Sequence, residues 1–186
     1  MYKFKFENGD VIEMKAIKHS EFASEETHCY QAKIYLNGKA WIEVDNEGRG
    51  GADRQSPIDI KQAGRWDKIK DINERLKVEH APEIYKYEGE RGIETHTMQI
   101  DLENWCGVQL EKFLTSRDLK RLMRTKLIFV KNKKDSTYMS IRKRNSLEDT
   151  AELQRANESF LKTYPKGILF NALPFEDAVK AFMDIK

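Results

Sequence analysis

The chain has 186 residues, 34% of them charged, and 33 Lys and Arg against 31 Asp and Glu leave a net charge of +2. No run of about 18 apolar residues is present to span a bilayer, and Met1-Tyr2-Lys3-Phe4-Lys5-Phe6 alternates where a secretory leader would need an apolar core. The expectation is therefore a cytoplasmic protein without membrane contact. With 39% apolar residues, 4 Pro and 10 Gly, the chain can bury a core and is not disordered, and its length suits one domain of about 100–200 residues.

In chain order, Tyr2, Phe4 and Phe6 alternate with lysines, Asn8-Gly9 supplies a turn, and Val11-Ile12-Glu13-Met14 starts a return strand. A polar stretch from Lys18 to Thr27 follows. Tyr30, Ala32, Ile34 and Leu36 then place apolar groups on one strand face, and Asn37-Gly38 turns the chain back into Ala40, Ile42 and Val44. An Asn-Gly pair between alternating runs is the strongest short-range hairpin signal.

A glycine-dense loop, Asp45 to Arg54, leads to Ser56-Pro57, which read as N-cap and first residue of a helix to about Lys77. Its apolar stripe is Ala63, Trp66, Ile69, Ile72 and Leu76. Val78 to Glu94 reads as an acid-rich loop with a short extended piece at Ile84-Tyr85-Lys86-Tyr87. Asp101 can cap a second helix carrying Leu102, Trp105, Val108 or Gln109, Leu110, Phe113 and Leu114, and Ser116 a short third one with Leu119, Leu122 and Met123 on its buried side.

Leu127–Val130 and Thr137–Ile141 predict a third hairpin around Lys131–Asp135. Ser146 opens a helix to about Tyr164, and Pro165-Lys166-Gly167 ends it. Ile168-Leu169-Phe170 precedes a closing helix with Pro174 at its start. Hairpins and helices interleave without βαβ alternation, so the predicted class is α+β, with an antiparallel sheet built from hairpins and packed against several helices. Within one domain, a hairpin part covers about residues 1–54 and a helix and basic-hairpin part about 55–186.

The near-zero net charge hides an asymmetry. Between Arg117 and Arg144, 11 basic residues face 2 acidic ones, +9 in 28 residues, which leaves −7 on the rest. Arg117, Arg121 and Arg124 share a helical face with Lys120 on its flank. Lys131, Lys133 and Lys134 crowd the following turn, and Arg142, Lys143 and Arg144 end the hairpin. A helix and a hairpin of this charge can track a phosphate backbone, and ~6–8 such contacts would make binding steeply salt-dependent. The alternative is a solvated face neutralised by the chain's own acids, which are dense from Asp71 to Glu111.

The glycine-dense loop carries a second candidate site, formed by Gly48, Arg49, Gly50, Gly51 and Arg54. Amides freed by glycine can converge on one phosphate, with arginine adding a bidentate contact, which would suit a small signalling nucleotide. The loop matches neither G-x-G-x-x-G nor the P-loop pattern, and a plain connection from sheet to helix explains the glycines equally.

Cys29 and Cys106 lack C-x-x-C spacing. His19, His28, His80 and His96 form no metal-ligand motif, and His28 and Cys29 are neighbours on a strand whose successive side chains point to opposite faces. Glu25-Glu26 and Asp101 with Glu103 could serve a metal-dependent nuclease or phosphodiesterase only if further carboxylates converged on them. No catalytic residue, metal ligand or cofactor is therefore assigned.

The stretch Glu26-Thr27-His28-Cys29-Tyr30-Gln31-Ala32-Lys33-Ile34-Tyr35-Leu36-Asn37-Gly38-Lys39, followed by Asp45-Asn46-Glu47-Gly48-Arg49-Gly50-Gly51, resembles the core of an uncharacterised family of phages and prophages. Ile168-Leu169-Phe170-Asn171-Ala172-Leu173-Pro174-Phe175-Glu176-Asp177-Ala178 is similar to that family's closing segment. The resemblance implies a small accessory protein of a mobile element in a bacterial cytoplasm, and since the residues announce no reaction, a binding role without catalysis is expected. Its expected partner is nucleic acid or a host nucleoprotein complex, engaged to inhibit a host defence system.

Overall fold

Asn37 and Gly38 both sit at positive φ, 50° and 81°, as a two-residue hairpin turn requires. They join β3 (Cys29–Leu36) to β4 (Lys39–Glu47), while Gly9, also at positive φ, turns β1 (Lys3–Lys5) into β2 (Val11–Ser20). With β5 (Arg54–Pro57) they make a five-stranded antiparallel sheet in the order β1-β2-β3-β4-β5. This computed structural model describes residues 2–59, 61, 64–89, 92–142 and 150–185. They form an α+β fold, as the sequence predicts, in two compact units, Met1–Leu110 and Glu111–Lys186.

In the first unit, alternation sets the buried sheet face: Ile12, Met14, Tyr30, Ala32, Ile34, Leu36, Ile42 and Val44 are buried. The register slips between Ile34 and Tyr35, so that Tyr35 pairs with Ala40 and Ile34 with Ile42. Trp41 is the extra residue of a β-bulge, a feature that bends a strand and re-aims a side chain.

That ring stacks with Arg65, whose guanidinium carbon lies 4.1 Å from its centroid. The contact goes with a correction to the first predicted helix. α1 runs Arg65–Glu79, after Gly64 at φ 74°, and does not begin at Pro57. Pro57 closes β5, paired with Ile42, on an edge strand, where a missing N–H is tolerated. The buried stripe is accordingly Arg65, Ile69, Ile72 and Leu76, and Trp66 is exposed. The predicted stripe residue Ala63 lies outside the described residues.

The predicted loop from Val78 to Glu94 is also corrected. α1 runs through Val78 and Glu79, and then β6 (Glu83–Gly89) and β7 (Gly92–Met98) pair antiparallel. The predicted extended piece Ile84–Tyr87 lies inside β6, and Ile84, Thr95, His96 and Thr97 are exposed.

The two predicted helices after Asp101 are one, α2 (Leu102–Thr125). Asp101 caps it, its Oδ1 accepting from the Asn104 N–H at 2.9 Å. Ser116 lies in the helix interior and does not cap a new one. No Gly or Pro interrupts residues 108–125, and Thr115 and Ser116 are too weakly unfavourable to break a helix alone. Gln109, and not Val108, is buried.

In the second unit, β8 (Lys126–Val130) is central in a sheet of order β10-β8-β9, with β9 (Met139–Arg142) and β10 (Ile168–Leu169). β9 begins two residues later than predicted. α3 (Thr150–Thr163) and α4 (Phe175–Met183) complete the unit; the expected cap Ser146 lies outside the described residues. Leu119, Ile128, Val130, Phe170, Ala178, Phe182 and Ile185 form one buried cluster, in which each large side chain contributes roughly 1.5–3 kcal/mol.

Candidate nucleic-acid interface

Arg117, Lys120, Arg121 and Arg124 all belong to α2 and are exposed. Leu119 on the opposite side is fully buried, and Leu122 and Met123 pack against the same cluster. The burial of one stripe thus sets the direction of the charged one. α2 passes without a linker into β8, and Asn171 holds this corner. Its Oδ1 accepts from the Ile128 N–H at 2.8 Å, and its Nδ2 donates to the carbonyls of Lys126 at 3.0 Å and Met123 at 3.4 Å.

The connection from β8 to β9 carries Lys131, Lys133 and Lys134, all exposed. Two short side chains build it: the Asn132 N–H donates to Asp135 at 2.9 Å, and Asn132 Oδ1 accepts from the Lys134 N–H at 3.1 Å. The Lys133 N–H donates to the Lys166 carbonyl at 2.9 Å. Lys131 stands over the Tyr164 ring, 5.4 Å from its centroid. Arg142, at the end of β9, is exposed. Lys143 and Arg144 lie outside the described residues.

Few acids meet these cations. Asp118 approaches Arg117 at 3.2 Å and Arg121 at 3.9 Å, both at exposed sites where such pairs contribute about 0–1 kcal/mol. Among the described residues, no ion pair engages Lys120, Arg124, Lys131, Lys133, Lys134 or Arg142. The second unit holds 17 basic and 10 acidic residues, +7, and the first −5.

The glycine-dense loop is organised differently. Asn46, buried in β4, is its hub: Oδ1 accepts from Thr27 Oγ1 at 2.7 Å and from the Gly48 N–H at 2.9 Å, while Nδ2 donates to Asp53 at 3.0 Å and to the Gly51 carbonyl at 3.2 Å. The Gly50 N–H donates to Thr27 Oγ1 at 3.3 Å. A Cβ at Gly48 would lie 2.1 Å from the Ala23 carbonyl oxygen, so only glycine fits there, and Gly50 faces the Glu26 carboxylate.

Arg54 bonds Asp45 at 2.6 and 2.9 Å and Glu47 at 3.1 Å. The hydrogen bond to Asp45 leads in raising its pKa further. Arg49 is exposed. The amides of Gly48 and Gly50 and the Arg54 guanidinium thus have partners inside the protein, which favours the connector over the cradle.

Beside the loop, Tyr30 Oη donates to the Asp53 carboxylate, and the Asp53 N–H donates to Glu103 at 3.2 Å. Burial, followed by the nearby acidic charges, pushes the Cys106 thiol well up, so it is a neutral core group. His19 and His28 approach at 3.3 Å, while both cysteines are free thiols. Among the described residues, no three His, Cys, Asp or Glu side chains converge closely enough to hold a metal ion, and no helix is long and apolar enough to cross a membrane.

Sequence reasoning missed the corner residue Asn171 and the hub Asn46. Asn171 carries no local pattern, because the Lys126 carbonyl it holds lies 45 residues away; Asn46 has near partners in the glycine loop, but its bond to Thr27, 19 residues back, depends on the pairing of β3 with β4. No protein-family model, curated protein or solved structure matches the chain.

Proposed function

We propose that this protein binds nucleic acid or a nucleoprotein, without catalysis, through the basic surface formed by the end of α2 and the β8–β9 hairpin. The observation that carries the reading is the exposure of Arg117, Lys120, Arg121, Arg124, Lys131, Lys133, Lys134 and Arg142, with Asp118 as their sole ion-pair acid among the described residues. Exposed cations that keep their counterions release them to a phosphate backbone, which drives binding and makes it salt-dependent. The phage-like sequence segments support a cytoplasmic mobile-element protein that uses this surface to block a host defence complex.

The test replaces Arg121, Arg124, Lys133 and Lys134 with Glu and measures affinity for duplex and single-stranded oligonucleotides against salt. The wild type is expected to lose affinity with a log–log slope of about −0.7 to −0.9 per phosphate contacted, and the fourfold variant to lose binding at every salt concentration. Equal affinity of the two proteins refutes the reading. Capture from host lysate with and without nuclease then separates a nucleic-acid-dependent partner from one held by protein contacts.

A further inference from the structure

The two faces of the β10-β8-β9 sheet differ. Ile128 and Val130 belong to the buried cluster. Leu127, Phe129, Ile141 and Leu169 share the opposite face, because Leu127 pairs with Ile141, Phe129 pairs with Leu169, and side chains alternate along a strand. α3 leaves that face incompletely filled, and a cavity of about 380 Å³ remains, closed on the helix side by Phe160 and Tyr164. This lies within the range of small-ligand pockets, about 300–1,000 Å³.

Three aromatic rings stand in a row along the wall. Phe129 and Phe160 meet edge to face at 5.5 Å between centroids, and Phe160 and Tyr164 at 5.3 Å. Ile141 at the opening is 55% exposed. A cation flanks the cavity at one end of β8, where Lys131 stands over Tyr164; Lys126 and Arg142, the register pair next to Leu127 and Ile141, belong by the same alternation to the other face of the sheet.

We propose that this cavity receives one unstacked base of a single-stranded nucleic acid whose phosphates lie along Lys131 and the β8–β9 connection that carries Lys133 and Lys134. The proposal rests on the polyanion-binding reading above. An apolar recess with Lys131 at one edge and two more exposed lysines on the adjoining connection suits a ligand that is anionic along its backbone and apolar at intervals. The aromatic wall favours flat rings, because stacking on aromatic side chains is the general device by which proteins hold single strands. A base inside a duplex is already paired and stacked and cannot enter without being flipped out.

The experiment uses the full chain and a short oligothymidine with one central 2-aminopurine, single-stranded or in a duplex. Quenching of the 2-aminopurine on binding is expected for the single strand only. A variant with Ala156→Leu and Ser159→Leu, which fills the cavity from α3 with good helix formers, should lose the quenching and bind the single strand about tenfold more weakly, with duplex affinity unchanged. If the double variant fails to fold, Tyr164→Leu is expected to reduce the quenching.

Charge-dependent single-strand binding without quenching, or with affinity unchanged in the filled variant, overturns base insertion and leaves the basic-face reading standing. Absence of any nucleic-acid binding by the wild type overturns both. Cavity-dependent binding of an acidic peptide in place of the oligonucleotide also overturns the proposal.

Discussion

Asp10 shows how much tertiary work one turn residue does. Its Oδ1 accepts from Asn37 of the second hairpin turn at 2.7 Å, and its Oδ2 from Asn8 of the first at 2.8 Å and from Arg75 of α1 at 2.9 Å. These bonds, led by Asn37 and Asn8 and then Arg75, hold its carboxyl well below the usual carboxylate range. A carboxyl with a lowered folded pKa stabilises the fold fully above its unfolded value of about 3.9, and that contribution is lost as pH falls through the folded pKa. Urea unfolding of wild type and Asp10→Asn should therefore show the wild type losing more stability below about pH 4. Parallel curves would remove Asp10 from the acid response. Asn8, Asp10 and Asn37 are visible in the sequence as turn formers, but the meeting of Asn37 and Arg75 at Asp10 requires strand order and the placement of α1.

At the scale of elements, local chemistry was enough wherever one signal dominated. Asn37-Gly38 dictates a hairpin because both residues accept positive φ, and Asp101 caps α2 because its carboxylate reaches the free N–H of Asn104, the third residue of the helix. Errors fell where two signals competed. Ser56-Pro57 carries a helix-start signature, yet pairing of β5 with β4 claims both residues. Ser116 resembles a cap, yet the helix continues through it. Arg117→Pro separates the alternatives: as the first residue of a new helix proline would be favourable, whereas inside α2 it should cost about 3 kcal/mol. Chemical denaturation against an Arg117→Ala control checks this, and equal midpoints would restore a helix break. The β6–β7 ribbon was legible only in part: the extended piece Ile84–Tyr87 lies inside β6, whereas its pairing with β7 crosses a stretch whose glycines and acids read as loop.

For the whole molecule, the decisive quantity is where charge sits, not its sum. Four exposed lysines of the first unit, Lys5, Lys18, Lys61 and Lys70, provide the control for the basic face. Changing them to Glu shifts net charge by the same amount as the fourfold substitution of Arg121, Arg124, Lys133 and Lys134. Nucleic-acid affinity measured at fixed salt is expected to fall far less in this control than in that variant. Equal losses would assign binding to overall charge and not to a local surface.

Sequence alone determined the α+β class, the two Asn-Gly hairpins, the capped start of α2 and the +9 segment, because each follows from local patterns, their order along the chain or composition, with no long-range contact needed. Only the tertiary structure decided that Arg65 displaces Trp66 from the buried stripe, that Asn46 and Thr27 occupy the glycine-loop amides, and that Asn171 joins the basic helix to the basic hairpin. It also opened the aromatic recess beside that hairpin. Those outcomes depend on partners far apart in the chain, whose proximity is set by sheet register and by which face each helix buries.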